Sequence, residues 1–290
     1  MSLFPCGANG AQAPLRLTLI GAGHVGRALG RVWHAGGHFL LQDVLTRTPG
    51  SARQAVDFIG AGRALSEYRQ LAPADVYLLA VTDDQIVPAC AALAGAVGPD
   101  GLAGAVVWHC SGALSAAALD VARGAGAAVA SVHPVRSFAD PAAVAAAFAG
   151  TYCGVEGDAA ALAVLEPALR AAGAVPVTID ATAKTVYHAA AVFASNYLVT
   201  LLDTALRAYQ AAGISETVAR ALAEPLVRET VANVFRLGPE QALSGPIARG
   251  DLATVQRQQL AVLAWDAGAG QVYEALIAPT TALAARRQRP

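Results

Sequence analysis

Three sets of residues in this 290-residue chain have types and spacing that could do chemistry. The first is the stretch Leu17-Thr18-Leu19-Ile20-Gly21-Ala22-Gly23-His24-Val25-Gly26, a β-like run opening into Gly-x-Gly-x-x-Gly. In such a loop Gly21 allows a tight turn, Gly23 lets the backbone approach a pyrophosphate, and Gly26 lets the next helix pack closely. The first amides of that helix, at His24 and Val25, and its dipole favour phosphate charge. The motif alone is weak in a chain with 28 glycines. The chain carries its own control, because Gly-Ala-Gly recurs at 60, 124 and 268. Only the copy at 21 has the third glycine, a β-like run before it and a helical stretch after it. A dinucleotide site is the expectation; a plain strand–helix turn is the bland alternative.

The second set lies where the next strand ends. NAD sites usually place an acidic residue there, about 20 residues on, against the ribose hydroxyls. Asp43 has that separation but falls within the run Phe39–Thr46. The run ends in Thr46-Arg47-Thr48, with Ser51 and Arg53 following, and a guanidinium among hydroxyls suits a 2′-phosphate. NADP is therefore favoured over NAD, with Arg47 and Thr48 as contacts; a solvated loop arginine is the plainer reading of Arg47. Other strand ends should line the same crevice. They are Val81-Thr82-Asp83-Asp84, His109-Cys110-Ser111-Gly112 and Val132-His133-Pro134, which make Thr82, Ser111 and His133 candidates for cofactor or substrate contact. Each could equally be an ordinary turn residue.

The third set surrounds Lys184, the single lysine beside 19 arginines. Lysine offers a compact ammonium that titrates when desolvated, which arginine does not. One turn later comes His188, then Ser195 and Asn196. On a helix advancing about 100° per residue, Lys184, His188 and Ser195 fall within roughly 40° of one another, and Asn196 about 120° from Lys184. Such a face could hold a carbonyl or imine and supply its proton. A surface lysine and a packed histidine are the alternative. His34 and His38 are four apart, but Gly36-Gly37 between them argues against a helical metal pair, and no metal site is expected. Arg249-Gly250-Asp251 reads as a helix approach, and Arg286, Arg287 and Arg289 as a solvated tail.

These residues need an α/β frame. Short β-like runs at Leu15–Ile20, Phe39–Thr46, Asp75–Val81, Ala105–Cys110, Ala127–Val132, Tyr152–Val155 and Val175–Ile179 alternate with helical stretches. That alternation implies βαβ units and a mostly parallel sheet. After Asp180 long helical patterns follow over Lys184–Gln210, Glu216–Leu237 and Leu252–Trp265, with Pro225 as a helix start or kink and Gly238-Pro239 as a stop. The expected organisation is a tail over 1–14, a Rossmann-type α/β domain over 15–182 and an all-α domain over 183–290.

Composition narrows the function classes. Hydrophobic residues at 55% can build a sizeable core, and a net charge of -1 offers no basic face for nucleic acid. Mean hydropathy of +0.46 comes largely from alanine, and no run of about 18 strongly apolar residues predicts a membrane span. The four cysteines, Cys6, Cys90, Cys110 and Cys153, lie far apart, which fits a reducing cytoplasm. The opening residues lack the pattern of a secretion signal.

With these motifs in hand, the chain resembles the Rossmann-like proteins with a DUF2520 C-terminal domain, from Leu15 to about Tyr273. The markers are Gly21–Gly26, Ala80–Asp84, His109–Gly112, His133–Phe138, Tyr187–Ala190, Ser195–Val199 and Ala242–Asp251. That family is similar in turn to pyrroline-5-carboxylate reductase, ketopantoate reductase and the β-hydroxyacid dehydrogenases. The resemblance implies NADP(H) binding, a helical second domain and homodimerisation through it. Lys184 sits roughly where the hydroxyacid dehydrogenases carry a catalytic lysine, and Asn196 could take the role of their asparagine. In those relatives one turn separates the pair, whereas here His188 occupies that place, so Lys184 and His188 are both eligible proton donors.

The expected activity is hydride transfer between NADP and a small carbonyl or imine in a cleft between the domains. Ser195 and Asn196 would orient the substrate, and Arg249 would hold a substrate carboxylate. The rival is a redox-silent NADP(H)-binding sensor acting as a dimer.

Overall fold

The computed structural model describes residues 13–287. The tail expected over 1–14 lies outside the described residues apart from Ala13 and Pro14, and so does Arg289. The chain divides into two compact units, Met1–Ala194 and Ser195–Pro290. The composition shift put the division at 182/183, where strands stop. The units divide a helix later than that, because the helix opening at Lys184 bonds into the sheet of the first unit.

The first unit builds one sheet. Its strands are β1 (Arg16–Ile20), β2 (Leu40–Leu45), β3 (Arg63–Leu65), β4 (Val76–Leu79), β5 (Val106–His109), β6 (Ala128–Pro134), β7 (Tyr152–Gly157) and β8 (Val175–Thr178). Between them run α1 (His24–Ala35), α2 (Pro49–Ile59), α3 (Asp83–Leu102), α4 (Asp120–Gly124), α5 (Pro141–Ala146) and α6 (Ala159–Ala171). The order across the sheet is β3-β2-β1-β4-β5-β6-β7-β8. All neighbours pair parallel except β6 and β7, so the sheet is mostly parallel, as the alternation of elements implied. β3 was missed at the sequence level because three residues, Arg-Ala-Leu, make no apolar run.

β4 and β5 are buried at every position, as strands covered on both faces must be. On one face Trp33 meets Phe39, Trp108 and Phe148 edge-on, with ring centroids 5.6, 6.4 and 6.4 Å away. On the other face Tyr77, Ile86, Leu93 and Leu102 pack. α2 starts because the Thr48 side chain accepts from the Ser51 amide and Pro49 follows the cap; it ends at Gly60, whose φ is +92°. From β1 the chain moves outward to β2 and β3, then returns to β4 on β1's other side. This reversal opens a crevice beyond the carboxyl ends of β1 and β4, where ligands of such sheets bind.

The last helix of the first unit is α7 (Lys184–Val192). It runs into a π turn, Phe193–Tyr197, and then α8 (Leu198–Ala211). The single α-helix expected over Lys184–Gln210 is thus three pieces. A π turn breaks the α-helical phase, so the 100° projection of Ser195 and Asn196 onto the Lys184–His188 face does not carry past Val192. The second unit continues with α9 (Glu216–Leu237), α10 (Pro239–Ala242), α11 (Leu252–Trp265) and α12 (Ala267–Arg286). α9 runs through Pro225 and stops at Gly238. Arg286 belongs to α12 and pairs with Glu240 at 3.2 Å, so it is more than a solvated tail.

Among the described residues one helical stretch, Ala181–Ala211, is long and apolar enough to cross a membrane, with a hydropathy of 1.4. Length and composition alone place it in that class, and alanine supplies much of the apolar character. Its first turn carries the buried Lys184, ion-paired within the first unit. Helices of the second unit expose large apolar side chains, with Phe235 at 87% and Leu260 at 67%.

Candidate functional site

The three glycines after β1 are used in three different ways. Gly21 has a φ of +87°, and a Cβ there would lie 2.6 Å from the Ala80 carbonyl oxygen. A Cβ on Gly26 would lie 2.4 Å from the Gly21 carbonyl oxygen, so the start of α1 sits directly on the loop. A Cβ on Gly23 would meet nothing within 4 Å, which leaves open space over the backbone. Gly23 is the N-cap of α1, with no side chain capping the helix and no acidic residue in its first turn. The free amides and positive dipole end at His24 and Val25 therefore face a place where an anion would be stabilised. Arg27 braces the loop by donating from Nε to the Ala22 carbonyl at 3.1 Å.

A cleft of about 870 Å³ lies over this loop, lined among others by Gly21, Gly23, Arg47, Thr48, Ser51 and Thr82. Arg47 is exposed there, with no hydrogen bond or ion pair among the described residues. Thr48 donates to Ser51 Oγ at 3.0 Å. Asp43 is fully buried and takes Arg63 at 2.9 Å and the Ala72 amide at 3.2 Å. Its carboxylate is committed inside the protein, away from the cleft's lining. Thr82 stands at the N-cap position of α3 on the cleft's rim without a side-chain cap bond, and its hydroxyl with the Gln85 side chain holds the Asp84 carboxyl below its usual range, Gln85 contributing most.

Next to the cleft, the turn after β5 is knitted by two side chains. Ser111 Oγ donates to Asp83 at 2.8 Å and accepts from the amides of Ala113 and Leu114. His109 accepts the Ser111 amide at Nδ1 (3.1 Å), and its Nε2 lies 3.1 Å from the Ser115 carbonyl. A carbonyl only accepts, so Nε2 carries the proton and the ring is neutral; burial pushes its pKa down to about 4.

α7 delivers Lys184, Tyr187 and His188 to this turn. Lys184 is 1% exposed and donates to Glu156 at 3.2 Å and to Ser131 Oγ. Desolvation lowers its pKa, with the Glu156 carboxylate opposing the shift. Tyr187 Oη lies 3.0 Å from His133 Nδ1, and the His133 and His188 rings meet edge-on with centroids 5.5 Å apart. Burial first, then His188 and Lys184, push the His133 pKa down to about 4. Glycines permit the approach. A Cβ on Gly112 would lie 2.3 Å from His188 Nδ1 and 2.9 Å from His133 Nε2, and one on Gly154 would lie 2.4 Å from Tyr187 Oη. His188 Nδ1 is buried without a hydrogen-bond partner.

Of the other sequence candidates, Ser195 and Asn196 lie on the π turn and Arg249 ends a 3-10 turn, Ile247–Arg249; all three belong to the second unit. No group of three or more potential metal ligands occurs among the described residues.

Residues 151–280 match the domain of unknown function DUF2520. No curated protein matches the chain. Among solved structures it is similar to a Bacteroides fragilis protein provisionally named an NADP oxidoreductase, at 20% identity and a TM-score of 0.75, covering 93% of this chain and 98% of that one. It is also similar to protein TM1727 from Thermotoga maritima, at 26% identity and a TM-score of 0.72, over 94% and 100% of the two chains. A third likeness is to Plasmodium falciparum pyrroline carboxylate reductase with NADP bound, at 13% identity and a TM-score of 0.60, over 94% and 100%. These likenesses establish the Rossmann-type fold.

The DUF2520 match contains Glu156, Lys184, Tyr187 and His188, whereas Asp83, His109, Ser111, Ser131 and His133 precede it. The polar cluster is therefore assembled from residues within the match and residues that precede it. Sequence reasoning singled out Lys184, His188, Ser111 and His133. It passed over Glu156 and Ser131 as site residues, although an acidic residue inside the otherwise apolar run Tyr152–Gly157 was a signal.

Proposed function

We propose that this chain is an NADP-dependent oxidoreductase acting on a small carbonyl or imine. The observation that carries the reading is the cleft at the sheet's switch point, where Gly23 and the uncapped start of α1 fit a pyrophosphate. Arg47, Thr48 and Ser51 fit a 2′-phosphate, while the acidic residue of β2 is consumed by Arg63. The names of the similar oxidoreductase and reductase point the same way. When bound, NADPH supplies the hydride.

The chain's own role is to place the substrate and handle a proton. His188 is the favoured donor over Lys184, because Lys184 is enclosed by Glu156 and Ser131 while His188 is only half-buried. With Nδ1 packed on Gly112 and unpartnered, a lone pair there is the better-tolerated state, since a buried N–H without an acceptor is the rarer fault. That leaves Nε2–H as the group to hydrogen-bond a substrate oxygen or nitrogen and polarise it. Ser195 and Asn196 are the groups proposed to orient the substrate, and Arg249 the one to hold a carboxylate. Thr82, Ser111 and His133 complete the proposed cofactor-side contacts.

Homodimerisation through the second unit is proposed from its exposed apolar side chains, and a cytoplasmic setting from Cys90, Cys110 and Cys153 remaining unpaired. Calorimetric titration with NADPH and NADH tests the cofactor reading. NADPH should bind more tightly, and Arg47→Ala should weaken it by about 10–100-fold, the worth of a charge-assisted phosphate contact. Equal binding of both nucleotides, unchanged by Arg47→Ala, would defeat the NADP assignment. Tight NADPH binding with no turnover on a carbonyl and imine panel would favour the sensor.

A further inference from the structure

We infer that the buried pair Lys184–Glu156 is a positioning lock, which holds the Ser111–Gly112 turn between the nucleotide cleft and His188 and passes no proton itself. The inference rests on the reductase reading above. Glu156 Oε1 accepts from Lys184 Nζ at 3.2 Å and from the Ala116 amide at 2.8 Å, so one carboxylate ties β7 to α7 and to the segment following the turn. Lys184 also donates to Ser131 Oγ on β6, and Ser131 in turn donates to the Ser111 carbonyl at 3.2 Å. From Ser111 the chain of bonds continues through its hydroxyl to Asp83 at the start of α3. The neighbouring residues Thr82 and Asp84 line the cleft.

This chain of bonds is not a proton wire. Its link between Ser131 and Ser111 ends on a backbone carbonyl, which accepts a hydrogen bond but has no proton to hand on. What it transmits is position, and the tolerance is small. Gly112 is so close to both imidazoles that a Cβ there would lie 2.3 Å from one ring nitrogen and 2.9 Å from the other. A shift of the turn therefore moves the surface on which His188 rests.

The pair is 1% and 8% exposed. Burying two charges is expensive, and a well-packed apolar or neutral pair of similar volume often folds as well or better. Desolvation lowers the Lys184 pKa even with the carboxylate beside it, in keeping with that cost. Stability alone therefore does not account for the pair, whereas fixing a turn beside the reacting groups does.

The test compares the parent with Lys184→Met/Glu156→Gln, in which no buried charge is left unpaired. Three quantities are read: melting temperature, amide exchange at Ala113 and Leu114, and kcat and KM across pH. The lock predicts a melting temperature no lower than the parent's and exchange at both amides at least about tenfold faster. It also predicts kcat reduced by about 10–100-fold with KM little changed and the pH profile's ionisation retained. Unchanged exchange with unchanged kcat would overturn the lock, leaving the pair a packing feature. Loss of the pH-dependent ionisation with unchanged exchange would also overturn it, making Lys184 the donor. Should the double variant not fold, Ser131→Ala leaves the ion pair but cuts its link to Ser111, and unchanged exchange there would overturn the lock. Exchange is measured without substrate, so a parent that turns over nothing counts against the reductase reading and not against the lock.

Discussion

His109 shows how much one side chain can commit. Both ring nitrogens are used within the turn, one donating to Ser115 and one accepting from Ser111, and the ring has no exposure. Its folded pKa of about 4 lies below the ordinary 6.5, so the folded state resists a proton that the unfolded chain accepts. The sign follows: as pH falls below 6.5 the unfolded state takes up the proton first, and stability drops until about pH 4. The loss for His109 is on the order of 3 kcal/mol. His133, pushed to about 4 as well, adds to the same window. Thermal melts between pH 7.5 and 4.5 should show a falling Tm, and His109→Gln should remove roughly half of the slope. The depressed carboxylates Asp75 and Asp158 act lower, because their stabilisation is lost only as pH falls below the usual carboxylate range. A flat Tm over the upper window would mean that neither histidine is held neutral. Lys184 gives the companion case: Lys184→Met alone leaves Glu156 buried without its partner and should cost about 3–5 kcal/mol, measured by denaturant melts.

At the scale of an element, the β1–α1 junction separates binding from folding. Gly26→Ala puts a methyl 2.4 Å from the Gly21 carbonyl oxygen, a backbone atom that cannot swing away. α1 must then lift from the loop, and both Tm and NADPH affinity should fall. Gly23→Ala meets nothing within 4 Å in the protein alone, so its Tm should fall by no more than about 1–3 °C, the cost of alanine at a helix N-cap. Its NADPH affinity should nevertheless drop by at least about tenfold, because the methyl occupies the space required by the pyrophosphate. Paired melts and titrations on the two variants check this. Equal affinity for Gly23→Ala and the parent would remove the glycine loop from the cofactor site.

Across the whole molecule, two surfaces of different character coexist. The sheet of the first unit is enclosed by packed layers, whereas the helices of the second leave Phe235, Leu260, Leu226 and Val199 largely open to solvent. The homodimer proposed above would cover such apolar side chains. Light scattering should find a dimer, and Phe235→Glu with Leu260→Glu should shift it to monomer at micromolar concentration. A monomeric parent would defeat the dimer assignment and return attention to the apolar stretch Ala181–Ala211 as a surface of another kind.

Features that depend on neighbours along the chain were legible in the residues alone. The glycine loop, the β/α alternation and the bounds Glu216–Leu237 and Leu252–Trp265 are all set by local periodicity and punctuation. Asp43 was legible as lying inside its strand for the same reason, although the arginine that consumes it comes 20 residues later. Everything else waited on contacts between distant segments. Lys184 meets Ser131 across 53 residues and Glu156 across 28, and Tyr187 meets His133 across 54. No spacing along the chain encodes such pairs, because strand order and register bring them together. The reversal at β7 and the π turn after Val192 lack a local signature as well. Lys184, singled out in the sequence for its rarity, lies in the folded sheet between Glu156 and Ser131, an enclosure that no local spacing announces.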